Sequence, residues 1–363
     1  MSASSSTRCI INVPVSGASI GIGTGLFENS QDPIIDYRNF RKSLKRSASL
    51  IVASLPSPTE RTHVINMFAN SYEKEAMNAM SCNDPVILNQ WHAIAAIEDT
   101  GATACHTRLL GEQLEYSVVE GSAHASRAQT PNKQLPITCA YGYIWTCLGI
   151  PSAPLFELPE YLESDRTNVC AASVGVRVSA PRAVENFLDM GHFPYVHTGI
   201  LGEQPHTEVR EYDVEVTEDT NEVIATRCRF YQPQAAAGAE GGMLVEYIYR
   251  VPHPYCSVLY KSCPDDESRL DVIALFVQPM DEINIRAHAL VSVIDKTSAP
   301  LAIRMFQQTI FGQDKPILEN QLPKRLPLDP RAETPIRADK SAIVYRRWLS
   351  KQGIRYGVIP AAA

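Results

Sequence analysis

The sequence predicts an α+β fold in which a helix, an antiparallel sheet and a second helix follow one another. A helical period covers residues 181–197 and returns over residues 300–320. Between them, apolar and polar residues alternate with a period of two, as in residues 224–230, which is typical of half-buried strands. Helices set apart from an antiparallel sheet define the α+β class.

The remaining elements follow from local composition. Polar and small residues at 120–134 and the Gly-, Ala- and Gln-rich residues 232–242 predict loops. Prolines at residues 323–335 predict an extended connector before a last helix at residues 340–350. Strands are predicted over residues 107–110, 114–119, 137–147, 214–216, 224–230, 243–251, 257–260, 272–276 and 283–293.

Three parts are expected along the 363 residues. Residues 1–84 form an N-terminal extension, helical in part (residues 57–80) or disordered. Residues 85–165 form a small β domain, and residues 166–363 form the main α+β domain. The glycine-rich run at residues 16–23 resembles a dinucleotide-binding turn, but no βαβ pattern follows it, so we expect no such site.

Charge and composition exclude some classes of function. The net charge of −7 argues against a basic surface for binding nucleic acid. No apolar run reaches the roughly 18 residues that a membrane-spanning helix needs. The nine cysteines are scattered and odd in number, which is typical of reduced thiols in the cytoplasm.

His192 and His197 are the candidate metal ligands on the first helix. Their spacing of five does not place them on one helical face, so the helix must break, and Pro194 between them predicts a kink or π-turn there. Asp314 on the second helix is the candidate third ligand. Two His and one carboxylate form the facial triad of non-haem Fe(II) oxygenases.

Two His on an amphipathic helix are often purely structural. Asn186 and Asp189, in register with the pair as N-x-x-D-x-x-H-x-x-x-x-H, and the separate Asp314 favour the metal site. Gln307 and Phe311 share a helical stripe with Asp314. They are either packing residues or parts of a substrate pocket, in which an amide pairs with a ring carbonyl or N–H and a phenyl ring stacks.

Residues 186–197 resemble the iron-site helix of Rieske non-haem iron oxygenase α subunits. Residues 313–319 resemble the segment that carries their carboxylate ligand, and residues 91–92, 109–112 and 141–149 resemble segments that flank their cluster domain. The likeness covers about residues 85–350 and is closest to the vanillate O-demethylase and methylxanthine N-demethylase branch. The tail at residues 345–348 resembles the xanthine enzymes in particular.

One departure from the family is pronounced. Its [2Fe–2S] cluster is bound by Cys-x-His and Cys-x-x-His pairs, expected here between Leu110 and Tyr141. That interval contains neither pair, only Cys139 and His124. The sequence therefore predicts an oxygenase without its own cluster, and this resembles the component of the branch that removes an N7 methyl group.

The resemblance implies a helix-grip catalytic domain and a reduced, all-β remnant of the Rieske domain. It implies that His192, His197 and Asp314 bind one Fe(II), that Asp189 is the acidic bridge for electrons, and that Asn186 lies near the iron. Gln307 and Phe311 would contact a purine.

The implied reaction is O2-dependent hydroxylation of an N-methyl group, such as that of 7-methylxanthine, with release of formaldehyde. NADH would act through a reductase or oxygenase subunit that carries a Rieske centre, in a hetero-oligomeric or trimer-based assembly. Two alternatives stay open. One is an O-demethylase for a methoxyaromatic acid, and the other is a non-catalytic subunit that scaffolds a complete oxygenase.

Overall fold

The computed structural model describes residues 12–15, 18–21 and 82–361, without residues 239–240 and 296. The chain divides into two compact units, residues 1–74 and 75–363. In the first unit, β1 (Asn12–Val15) pairs antiparallel with β2 (Ala18–Gly21). The expected helix at residues 57–80, and almost all of the expected extension, lie outside the described residues.

Two small sheets form the first part of the second unit, after the short helix α1 (Pro85–Leu88). One has the strand order β4-β5-β6-β7 and the other β3-β9-β8, and all pairs are antiparallel. These strands are β3 (His92–Ala96), β4 (Cys105–Leu109), β5 (Glu112–Val119), β6 (Ser122–Arg127), β7 (Thr130–Gln134), β8 (Ile137–Ala140) and β9 (Tyr143–Thr146).

The loop predicted at residues 120–134 was wrong, because β6 and β7 occupy most of it. Every residue of β7 is exposed, and β6 buries only Ala125 and Ser126. A strand with both faces in water carries no apolar alternation, which is the signal that sequence reading depends on.

A seven-stranded antiparallel sheet forms the centre of the second part, with the order β10-β16-β15-β14-β13-β12-β11. The prediction missed β10 and found the other six strands. The strands are β10 (Thr167–Val176), β11 (Asp213–Val216), β12 (Val223–Gln232), β13 (Met243–His253), β14 (Cys256–Ser262), β15 (Leu270–Pro279) and β16 (Ile285–Val293).

The two faces of this sheet have different neighbours. On one face, Phe276 packs edge-on against Trp145 of β9, with ring centroids 4.8 Å apart. The hydroxyl of Tyr143 donates to the carbonyl of Ala289, 2.9 Å away. The sheet of β3, β9 and β8 therefore packs on this face, and helices pack on the opposite face.

Four further helices complete the second unit. They are α2 (Ala180–Leu188), α3 (Phe193–Val196), α4 (Pro300–Asn320) and α5 (Lys340–Lys351). Ile303 of α4 packs with Val169 and Ala171 of β10. A helix held against an antiparallel sheet confirms the predicted helix-grip α+β class.

The connector between α4 and α5 contains short pieces of regular structure. Its β17 (Leu326–Pro327) pairs in parallel with β18 (Val358–Ile359) near the C-terminus. Within the described ranges, none of the helices is long and apolar enough to cross a membrane.

Candidate metal centre and substrate cavity

Asp189 ends α2 and sets the geometry of the site. Its backbone is extended, with φ −80° and ψ 127°, and its Oδ1 accepts a hydrogen bond from the N–H of Gly191 at 2.8 Å. Such a turn, closed by an aspartate side chain, competes with helix continuation. The single helix predicted over residues 181–197 was therefore wrong.

The break falls at Asp189 and not at Pro194. Pro194 lies in the first turn of α3, where a missing N–H costs nothing. His192 and His197 flank this four-residue helix, and their Nε2 atoms are 3.2 Å apart. The irregular backbone thus brings the two imidazoles together, whereas residues five apart on a regular helix would not share one face.

Three ligand atoms converge from two helical segments. The Oδ1 of Asp314 on α4 lies 3.4 Å from Nε2 of His192 and 3.1 Å from Nε2 of His197. Ligand atoms about 2.1 Å from one metal ion and at right angles to each other are about 3 Å apart. The three edges fit one face of such a site, so the donor set fits a single iron with open positions.

The Nδ1 atom of each imidazole has a hydrogen-bond partner that fixes the ring. Nδ1 of His192 lies 2.9 Å from Oδ2 of Asp189, and Nδ1 of His197 lies 2.8 Å from Oε1 of Gln313. An N–H at each Nδ1 leaves the Nε2 lone pair for a metal, and metal-binding His residues usually have such partners. The amide of Asn186 also donates to Oδ1 of Asp314 at 3.1 Å.

The ionisable groups of the site stabilise one another in their charged forms. Burial alone would lower the pKa of His192, but hydrogen bonds to Asp189 and Asp314 outweigh it and raise that pKa to about 9. Burial would raise the pKa of Asp314, but the two His residues outweigh it and lower that pKa to about 2. Without metal, the site therefore holds an imidazolium–carboxylate pair.

A cavity of about 150 Å³ opens beside the three ligands. This is about the volume of an engineered apolar cavity that holds benzene. Gln307 and Phe311 line it, as do residues 235–238 of the loop between β12 and β13. Most of the wall is apolar, so a small planar ring fits with few polar contacts.

A second cavity, of about 550 Å³, lies on the Asp189 side of the ligands. His192 and Asn186 line both cavities, whereas Asp189 lines only this one. The Asp189 side chain is 33% exposed. One ligand, His192, therefore connects the substrate cavity to a carboxylate that another molecule can approach.

All seven residues predicted for the site line one or both of these cavities. The prediction gave no role to Gln313, although it adjoins Asp314 in the sequence. It also missed Lys261 and Asp271, two charged residues in strands that line the substrate cavity. The available signal was a charged residue directly after the predicted strand 257–260 and another directly before the predicted strand 272–276.

Comparison with known proteins shows the family of the chain. The family model for the vanillate O-demethylase oxygenase C-terminal domain matches residues 176–353. A probable methylxanthine N7-demethylase, NdmC, of Pseudomonas sp. (strain TJI-51) is 42% identical over 279 residues, which cover 77% of this chain and 99% of that protein. The chain belongs to the Rieske non-haem iron oxygenase family. Within it, the chain falls in the methylxanthine demethylase branch.

Other relatives are more distant. The methylxanthine N3-demethylase NdmB of Pseudomonas putida is 25% identical over 57% of each chain. The structure of Pseudomonas putida CBB5 NdmA with caffeine superposes with a TM-score of 0.58 at 20% identity, covering 73% of this chain and 90% of that one. Dicamba monooxygenase gives 0.60 at 15%, covering 74% and 98%. These last two likenesses concern the fold.

A Rieske centre needs two Cys and two His. Among the described residues, the one group of three or more His, Cys, Asp or Glu side chains that converges as metal ligands do is His192, His197 and Asp314.

Proposed function

We propose that this protein is the oxygenase component of a multi-protein N-demethylase that acts on a methylated purine such as 7-methylxanthine. The observation that carries the proposal is the set of three converging ligand atoms beside a cavity sized for a small ring. The 42% identity to a probable methylxanthine N7-demethylase over almost the whole of that relative supports the proposed substrate class.

In this proposal His192, His197 and Asp314 hold one Fe(II). When bound, the iron supplies the activation of O2 that this family uses for hydroxylation. The protein orients the three ligands and keeps water away from the substrate. Asp189 and Gln313 fix the two imidazoles through Nδ1, Asn186 holds Asp314, and the apolar wall excludes water from the methyl group.

The atoms and electrons balance as follows. One oxygen atom of O2 enters a C–H bond of the N-methyl group, and the other leaves as water after taking two electrons and two protons. NADH supplies the electrons through a partner. The N–CH2OH product then loses the C–N bond, and its hydroxyl proton passes to the ring nitrogen. Formaldehyde and the demethylated ring are released.

The electrons enter, in this proposal, from the second cavity. Asp189 lies there, partly exposed, with a direct hydrogen bond to His192. We propose that the protein has no cluster of its own and that a reductase or oxygenase subunit with a Rieske centre docks at this side. The active form is then a hetero-oligomer or an assembly built on trimers.

A substrate panel tests the proposed activity. The iron-loaded protein, NADH and a Rieske-bearing reductase are mixed with methylxanthines and methoxybenzoates, and formaldehyde is measured. We expect turnover with 7-methylxanthine and none with the Asp314→Ala variant. Formaldehyde from methoxybenzoates alone would contradict the purine proposal.

O-demethylation of a methoxyaromatic acid is the second candidate. The match to the vanillate O-demethylase domain and the amino group of Lys261 in the substrate cavity favour it, since a cation can hold a substrate carboxylate. Whether Lys261 can hold such a carboxylate depends on the charged residues around it.

A further inference from the structure

Two oppositely charged residues lie side by side in the wall of the substrate cavity. Lys261 of β14 and Asp271 of β15 are directly opposite each other in the strand register. Both side chains line the cavity, and the two residues are only 6% and 4% exposed. Directly opposed residues on one face of a sheet have Cβ atoms about 5 Å apart, so their polar ends can reach the same ligand.

Each member of the pair keeps capacity for a further hydrogen bond. The ammonium of Lys261 donates to the carbonyl of Ala235, and an ammonium has three N–H groups. Oδ1 of Asp271 accepts from the N–H of Ile294 at 2.9 Å, and Oδ2 has lone pairs of its own. The pair therefore offers a donor next to an acceptor.

Burial acts on both members. It lowers the pKa of Lys261 to about 8, against the opposing effect of Asp271. It also raises the pKa of Asp271, partly offset by the Ile294 N–H and by Lys261. Asp271 is thus the main charge that favours the ammonium of Lys261, whereas the carboxylate of Asp271 is favoured first by the Ile294 N–H and then by Lys261. The pair is close to neutral as a unit.

We propose that Lys261 and Asp271 select an uncharged heterocycle by binding an adjacent carbonyl and ring N–H. Lys261 donates to the carbonyl and Asp271 accepts from the N–H. This inference rests on the proposed function and deepens it, because methylxanthines have such edges and methoxybenzoates do not.

The same pair disfavours a carboxylate. Apart from the two His of the metal site, Lys261 is the one basic side chain in the described part of the cavity wall. Four aspartates line that wall, namely Asp265, Asp271, Asp295 and Asp314. A substrate carboxylate at Lys261 would displace or repel Asp271, and burying a second anion there is costly.

Lys261 also has a structural alternative. Because it holds Ala235, it could serve only to tether the loop that covers the cavity. A tether would change the affinity for every ligand by the same factor. A recognition group would change it only for ligands with a carbonyl, so the choice of ligands separates the two roles.

The test measures Kd by anaerobic equilibrium dialysis with the Fe(II)-loaded protein. The probes are 7-methylxanthine, 7-methylpurine, which has the same ring and methyl group without the oxygens, and 4-methoxybenzoate. The variants are Lys261→Met, Asp271→Asn, in which the amide oxygen still accepts from Ile294, and Lys351→Met as an exposed control. Iron content checks that each variant retains the site.

We expect the wild-type protein to bind 7-methylxanthine at least roughly 10-fold more tightly than 7-methylpurine, and Lys261→Met to remove that ratio. Asp271→Asn should bind 4-methoxybenzoate about 10-fold more tightly than wild type, because the substrate carboxylate can then replace Asp271 as the counter-charge of Lys261. That gain in affinity cannot arise from misfolding. Lys351→Met should match wild type.

Equal wild-type affinity for the two purines would overturn the inference, as would an unchanged ratio in Lys261→Met. If 7-methylxanthine is nevertheless demethylated, the proposed function survives that result. If 7-methylxanthine does not bind and 4-methoxybenzoate does, the proposed function fails, and the inference fails with it.

Discussion

Asp189 has two separate tasks, one for each carboxylate oxygen. Oδ1 accepts from Gly191 and ends α2, and Oδ2 accepts from His192. The contact with Gly191 forms the turn that places His192 and His197. The contact with His192 joins that imidazole to a partly exposed carboxylate. The sequence spacing N-x-x-D-x-x-H predicted the second task, but the first became visible only in the structure.

Substitutions should separate metal binding from electron delivery. His192→Ala, His197→Ala and Asp314→Ala should each remove most of the iron and nearly all activity, because each removes one of three ligands. Asp189→Ala removes both the Gly191 and the His192 contacts, so the iron affinity should fall, by roughly 10- to 100-fold for the His192 contact. The variant should still retain iron when Fe(II) is in excess, and its turnover should be slower. Iron content and formaldehyde release measure both effects.

Asp189→Asn is the matched control. Its amide oxygen can still accept from Gly191, so the helix should still end at residue 189, but the charge beside His192 is lost. Normal turnover of either Asp189 variant with the physiological partner would contradict the role of Asp189 as a bridge.

Metal uptake should depend on pH with a defined sign. The pKa of metal-free His192 is raised to about 9, so its proton stabilises the metal-free fold most below the unfolded pKa, and this contribution is lost as pH rises through about 9. The metal needs the neutral imidazole, so it must displace that proton. Asp314, with a pKa of about 2, stays ionised.

Co(II) affinity should therefore rise by up to about tenfold per pH unit between about pH 6 and 8, with release of one proton. Titration by absorbance in two buffers measures both quantities. An affinity that does not change with pH would mean that His192 is neutral in the metal-free protein.

Sequence reasoning proposed His192, His197 and Asp314 as a set because their residue types and spacing suggest iron, and the structure brings the three side chains together. It did not reach Gln313, Lys261 or Asp271, because their roles depend on which strand or ring lies opposite. Lys261 meets Asp271 only through the register of β14 and β15, and register is a property of the folded sheet.

The elements were predicted best where one face is buried. α4 was predicted at its observed bounds, and six of the seven strands of the large sheet were found. The errors lie where local side-chain chemistry overrides periodicity, as at Asp189, or where both faces of a strand meet water, as in β7. β10 was also missed; it is an edge strand with four of its ten residues buried, against seven of nine in its one neighbour β16, so its apolar signal is weaker.

A buried charge network ties α2 to the connector and to α5. Arg182, whose side chain is fully buried, contacts Glu185 at 2.9 Å and also Glu333. Arg346 contacts the same two glutamates, with Glu185 at 2.6 Å. Without Arg182, Glu185 and Glu333 share Arg346 alone, and the network keeps one uncompensated negative charge, which is strongly destabilising.

Arg182→Met should therefore lower the free energy of unfolding by about 3 kcal/mol. Urea unfolding followed by circular dichroism measures this. The control is Arg331→Met, because the Arg331 side chain is 88% exposed and pairs only with nearby Asp329, and its unfolding midpoint should match wild type. Equal midpoints for both variants would show that the network does not support α2.

At the scale of the whole molecule, the sheet of β3, β9 and β8 packs on one face of the large sheet, and α4 packs on the other. The α+β class was predicted from the order of helices and strands, which local periodicity suffices to give. The division of the second unit at residue 165 stays a prediction. So does the assignment of residues 1–84 as an extension.

The purified protein should contain about one iron per chain and no acid-labile sulfide, because the described residues provide one converging ligand set. Iron and sulfide assays on protein produced with iron–sulfur assembly factors measure this. Stoichiometric sulfide would contradict the absence of a cluster. A protein that binds no iron under these conditions would favour the non-catalytic scaffold.

Turnover with matched reductases tests the central claim most directly. The iron-loaded protein, 7-methylxanthine and NADH are mixed with a reductase that has only a plant-type ferredoxin centre, or with one that also carries a Rieske centre, and formaldehyde is followed. We predict formaldehyde only with the Rieske-bearing reductase, and none when the protein is replaced by Asp314→Ala. Full turnover with the reductase that lacks a Rieske centre would contradict the account.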